Sequence, residues 1–156
     1  MMRFLSVILS IFVMAGCAST VTTQSAVDVV RPDFKAALEA HLATIADRDI
    51  DAYADTITKA GDLYVIFPDG SATTTTEGVI DFHEDWFADE KWSWEIETVK
   101  IIEGADMAMA VLKHHYRDNA EVEPRSSWLV MVFQIEDGEW RLVHDQNTRI
   151  VPQGNE

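Results

Sequence analysis

Side chains able to hold or move a proton draw the eye at three places in this sequence: His83 among large apolar residues, His114 and Tyr116 on one alternating stretch, and Asp145 in a polar run with Gln146 and Asn147 directly after it. His83 or Asp145 in such surroundings can act as a general base beside a carbonyl, with Tyr116 or Asn147 holding the oxygen that turns negative. The same residue types also serve blander ends. A core histidine bonds to backbone, and polar groups at a strand end cap nearby loops. The chain has no HExxH, no paired Cys/His spacing, no Gly-x-Ser-x-Gly and no phosphate loop. The sequence therefore predicts no metal and no other cofactor.

The elements that must position these groups are legible from periodicity. Val79, Phe82, His83, Trp86 and Phe87 recur at i, i+3, i+4, i+7 and i+8, which is one stripe of an amphipathic helix starting near Gly78. Met107 to Arg117 alternates as a strand, with Ala108, Ala110, Leu112, His114 and Tyr116 on one side and His115 on the other. Ser126 to Ile135, containing Met131, is a strongly apolar strand, turned by Asp137-Gly138 into a last strand. There, strict alternation groups Trp140, Leu142, His144 and Gln146 on one face and Val143, Asp145 and Asn147 on the other. The apolar Trp140 and Leu142 then carry Gln146 inward, and only a bulge, for which the sequence offers no sign, would bring Asn147 there instead. Upstream, Pro32 fits a first helical position of a helix reaching Ala46, and Asp49 caps a second ended by Gly61. Leu63 to Phe67 and Ala72 to Thr76 flank a Pro68-Asp69-Gly70 turn, and Trp92 to Ile102 reads as a further strand. Three helices and a curved, mainly antiparallel sheet make an α+β arrangement.

The ends and the charge narrow the setting. Met1-Met2-Arg3, an apolar run to Met14, and Ala15-Gly16 before the sole cysteine, Cys17, have the layout of a lipoprotein signal. Residues 1–16 are read as that signal, 17–31 as lipidated Cys17 and tether, 32–151 as the folded domain and 152–156 as a tail. The expected location is the bacterial envelope, with Ala18 after the cysteine favouring the outer membrane facing the periplasm. Contact with membrane is expected through the lipid alone. With 12 Lys and Arg against 27 Asp and Glu, a net charge of −15, the surface repels phosphate backbones and argues against nucleic acid.

The order helix, helix, strand, turn, helix and four long strands resembles the cone-shaped NTF2-like superfamily, which includes SnoaL-like cyclases and ketosteroid isomerases. The residues carrying the likeness are Asp81-Phe82-His83, Ala108 to Tyr116, Asp137-Gly138-Glu139-Trp140 and Val143-His144. Within that superfamily the chain is most similar to the association domain of calcium/calmodulin-dependent kinase II. The resemblance implies an NTF2-like cone, a homodimer, and a pocket lined by His83. The arginines that hold carboxylates in the kinase domains fall on Leu112, Met131 and Asn147, so a carboxylate ligand is not expected here. The expected ligand is instead a small, at least partly apolar molecule held by His83, Trp86, His114 and Tyr116 together with Met131, Gln146 and Asn147. Two alternatives stay open. One is an isomerase, cyclase or dehydratase with His83 or Asp145 as base; the other is an assembly module that dimerises through an exposed sheet face.

Overall fold

The computed structural model describes residues 31–151. The signal, the Cys17 lipidation site, almost all of the tether and the tail lie outside the described residues. Three helices, α1 (Phe34–Asp47), α2 (Ile50–Thr56) and α3 (Thr76–Ala88), pack against one six-stranded mixed sheet that does not close. Its strands are β1 (Tyr64–Ile66), β2 (Ala72–Thr73), β3 (Ser93–Glu103), β4 (Met107–Arg117), β5 (Arg125–Glu136) and β6 (Glu139–Arg149). They lie in the order β2-β1-β6-β5-β4-β3, antiparallel throughout except where β1 runs parallel to β6. This is the α+β, cone-like arrangement that the sequence suggests.

Each helix opens on a side-chain cap, which satisfies one of the amide donors left free at a helix start. Asp33 accepts from Ala36 N at 3.2 Å, Asp49 from Ala52 N at 3.0 Å and Thr75 from Gly78 N at 3.1 Å. Pro32 accordingly precedes the cap of α1 and is not its first residue. The second helix stops at Thr56, short of Gly61, because the next residues leave it to meet the sheet. Ile57 bridges Leu142, and Thr58 N donates to Leu142 O at 2.9 Å.

The β5–β6 hairpin turns on Asp137 and Gly138, at φ 51° and 85°. Two successive positive φ values match the right-handed strand twist, and Gly adopts one at no steric cost. Beyond the turn β6 is irregular. Phe133 pairs with Leu142 but Val132 pairs with His144, so Val143 is an extra residue on β6. The bulge resets the alternation: Leu142 is buried, and Asp145 is buried three residues later. Gln146 is exposed, not interior, which corrects the expectation from strict alternation.

Aromatic side chains fill the hairpin end. Phe34 meets Phe133 and Trp140 edge-to-face at 5.4 and 5.2 Å, and Trp140 Nε1 donates to Pro32 O at 2.8 Å. Such aromatic pairs contribute roughly 0.5–1.5 kcal/mol each beyond their buried area. With that end filled, the space between α3 and the sheet stays open at the other end.

Candidate functional site

The opening is a pocket of about 590 Å³. Its walls come from the helical stripe and the inward strand faces. The α3 stripe supplies Phe82, His83 and Trp86; the inward side of β4 supplies His114 and Tyr116; β3 adds Trp94. Leu129 and Met131 of β5 and Asp145 and Asn147 of β6 form the sheet side, while Asp69, Asp118, Arg125 and Arg149 stand at the rim. Phe82 is 40% exposed despite its place in the apolar stripe, because it covers the rim against Phe67 at 4.7 Å.

Asp145 is 8% exposed, and burial raises its pKa from 3.8 to about 7. Taking a carboxylate out of water penalises its charged form, and that penalty here outweighs the single amide hydrogen bond it receives. The bond comes from Asn147 Nδ2, 3.0 Å from Asp145 Oδ1. Asn147 Oδ1 in turn faces His114 Nε2 at 3.1 Å. Oδ2 of Asp145 has no protein hydrogen-bond partner among the described residues.

His83 faces the same space with different chemistry. Its Nδ1 lies 2.8 Å from Val79 O, which can only accept, so Nδ1 carries the proton and Nε2 is a free acceptor. The ring stacks on Tyr53 at 4.1 Å, and burial lowers its pKa to about 4. A neutral imidazole with this tautomer accepts protons and does not donate at Nε2. Tyr116 is the complement: its oxygen accepts from Trp86 Nε1 at 3.3 Å, leaving its own hydroxyl proton to be donated.

A third histidine lies behind these groups. His41 is 0% exposed, packs against Tyr53 and Phe133 at 5.3 and 5.4 Å, and has its pKa lowered to about 3, mainly by burial. Its Nδ1 pairs with Thr56 Oγ1 at 2.7 Å, and Nε2 is buried without a partner. Tyr53 is raised in pKa by burial and by the nearby charge of Asp145.

Of the residues the sequence nominates, His83, Trp86, His114, Tyr116, Met131, Asp145 and Asn147 all border the pocket, whereas Gln146 points away from it. Sequence reasoning missed His41, although its spacing from Phe34, Leu38 and Ile45 matches the buried stripe of α1. It also missed the rim arginines. Arg125 grips Asp118 through both terminal nitrogens, at 2.5 and 2.9 Å, a pairing between a strand end and a loop that no local pattern announces. Among the described residues no cluster of His, Cys, Asp and Glu has the grouping to hold a metal ion.

Comparison with known proteins places this arrangement in a family. The model of the SnoaL-like domain matches residues 34–150. A protein of Thiobacillus denitrificans ATCC 25259, named for the calcium/calmodulin-dependent protein kinase type II association domain, superposes with a TM-score of 0.68 at 20% identity, over 78% of this chain and 98% of its own. A Streptomyces avermitilis protein, named as a dehydratase of the NTF2-like family, gives 0.66 at 13% identity over 75% and 93%. A ketosteroid isomerase-like protein of Erwinia carotovora atroseptica SCRI1043 gives 0.61 at 19% identity over 76% and 94%. At such identities the likeness shows the fold alone. No curated protein sequence matches the chain.

Proposed function

We propose, for a chain that belongs to the SnoaL-like domain family, that the pocket binds a small, largely apolar molecule bearing a carbonyl and that Asp145 moves a proton on it. The reaction type this supports is that of an isomerase, cyclase or dehydratase. The observation that carries the reading is Asp145 itself, a buried carboxyl bordering the pocket with one oxygen held by Asn147 and the other unpaired.

Magnitudes decide between the two candidate bases. Proton transfer is most efficient when the catalytic pKa lies near the working pH. Asp145, at about 7, meets that condition; His83, at about 4, is the weaker base by about three units. In the proposed step the Asp145 carboxylate takes a proton from the carbon next to the carbonyl, and the electron pair moves onto the carbonyl oxygen. Tyr116 donates its free hydroxyl proton in a hydrogen bond to that oxygen. Protonated Asp145 then returns the proton to carbon. His83 and the aromatic rings orient the substrate.

The test is loss of α-protons from a panel of cyclic ketones in D2O, followed by NMR. Wild type should accelerate exchange for a ketone that it binds, and Asp145→Asn should lower the rate by about 10²-fold or more. Ketones bound equally by both proteins, with no exchange in either, would leave a binding protein and remove the enzyme.

The setting is proposed on the same footing. The sequence around Cys17 supports a lipid-anchored envelope protein, and a mature N-terminus without lipid on Cys17 would overturn it. A homodimer is supported by the outer face of the sheet, where Trp128, Val130, Val132 and Met109 form a half-exposed apolar surface.

A further inference from the structure

We propose that His114 is a positioning residue: it fixes the Asn147 amide, and the amide presents Asp145 with its unpaired Oδ2 toward the pocket. The inference rests on the reading of Asp145 as the proton-transferring group and deepens it.

The Asn147 amide can in principle point either way. An ionised carboxylate only accepts, so the group 3.0 Å from Asp145 Oδ1 must be the donor Nδ2. Asn147 Oδ1 then needs a donor of its own. His114 Nε2, at 3.1 Å, supplies it only if that nitrogen carries a proton, and burial, which lowers the His114 pKa, keeps the ring neutral, so the proton is on Nε2 alone. The other ring nitrogen, Nδ1, is buried without a protein partner. A buried lone pair without a partner is better tolerated than a buried N–H, which favours the same tautomer independently. With Oδ1 occupied, a proton on Asp145 resides on Oδ2, the oxygen available to a ligand.

The reach of this chain is itself a constructed feature. His114 is on β4 and Asn147 on β6, with β5 between them, so the pair spans two strand spacings, roughly 9–10 Å. His114 is paired on β5 with Ser127, which is also the partner of Arg149 on β6. The small, buried Ser127 leaves room for the imidazole to lie across β5. Trp94 closes the far side of the ring, edge-on at 5.8 Å.

The titratable groups around Asp145 are few. Tyr53 of α2 and His83 of α3 lie on the helical side, and His114 reaches over from β4; the flanking strands place Val65 and Met131 beside it. None of these supplies a cation while the histidines stay neutral. Among the described residues the oriented amide is then the one side-chain group that donates a hydrogen bond to the carboxylate, the rim cations Arg125 and Arg149 making none to it.

The experiment is a pH titration of the Asp145 carboxyl carbon by ¹³C NMR in wild type, His114→Phe, His114→Gln and Asn147→Leu. Asp145→Asn provides the assignment, and ¹⁵N NMR of the His114 ring in wild type reports the tautomer. A hydrogen bond to a charged group is worth enough to move a pKa by about one unit or more. The Asp145 midpoint should therefore rise by about one unit in His114→Phe and equally in Asn147→Leu, with no further rise in the double variant. His114→Gln, which restores a donor, should return toward wild type. An Nδ1-protonated ring in wild type, an unchanged midpoint in His114→Phe, or shifts that add in the double variant would overturn the proposal. If His114→Phe does not fold, the wild-type tautomer and the Asn147→Leu midpoint still decide it. The titration needs no substrate, so it can succeed while the ketone exchange fails, and the converse.

Discussion

Replacing Asp145 by Asn should abolish a loss of stability that the wild-type protein suffers as pH rises through neutrality. Asp145 has its folded pKa raised from 3.8 to about 7. The folded state therefore holds a proton that the unfolded chain has already released. For a raised pKa, the stability linked to that proton is fully present below about 3.8 and is lost as pH climbs through about 7. A shift of about three units corresponds to about 4 kcal/mol in all, and the part lost between pH 5 and pH 8 comes to about 2.5 kcal/mol. Water reaching the pocket-facing oxygen would lessen the figure, so it is an upper value. Asn cannot ionise and fills nearly the same volume, so the variant should show no such loss.

The assay is urea unfolding followed by tryptophan fluorescence, with Trp86 and Trp92 stacked at 4.5 Å beside the site as reporters. The quantity to plot is the difference in unfolding free energy between wild type and Asp145→Asn, because the histidines are common to both and their titration cancels. That difference should move against wild type by about 2.5 kcal/mol between pH 5 and 8. A flat difference would mean that Asp145 titrates as an ordinary exposed carboxyl. The reasoning that makes it a proton-transfer group near neutrality would then fail.

On the acid side the histidines should dominate. His41 has its pKa lowered to about 3, so as pH falls below about 6.5 the unfolded chain takes up a proton that the folded state refuses, and stability is lost. His41→Phe should remove about 2 kcal/mol of that loss at pH 5; parallel pH curves for variant and wild type would contradict it. Thr75→Ala removes the cap of α3 and should cost about 1 kcal/mol in urea unfolding, whereas no change would mean that Gly78 N finds another acceptor. Deleting Val143 should regularise β6 while leaving Asp145 and Asn147 facing inward, and the deletion protein should keep the raised Asp145 midpoint by ¹³C NMR. A midpoint restored to the usual carboxylate range would show that the bulge had been misassigned. Trp128→Glu on the outer sheet face should convert a dimer to a monomer in sedimentation velocity; a dimer that persists would place the interface elsewhere.

How much of this could be read from the sequence depends on how far each determinant lies along the chain. The α3 stripe holding His83 and Trp86 and the inward side of β4 holding His114 and Tyr116 are local periodicities, and the structure keeps both. The hairpin at Asp137-Gly138 is equally local, since two residues set its geometry. The end of α2 was not legible from Gly61, because Ile57 and Thr58 are drawn out of the helix by Leu142, more than eighty positions later. The same contact governs the site. Below the bulge the free edge of β6 is met by Ile57; above it, by β1, starting at Tyr64 opposite His144. Val143 stands at the change of partner. One strand there accommodates two neighbours that arrive from different directions, and the extra residue takes up the mismatch. Alternation along β6 carries no trace of either neighbour, so reading it alone sends Gln146 inward and Asp145 out. The residue with the most chemical potential in this pocket is therefore placed by long-range pairing, while the walls that surround it are placed by local pattern.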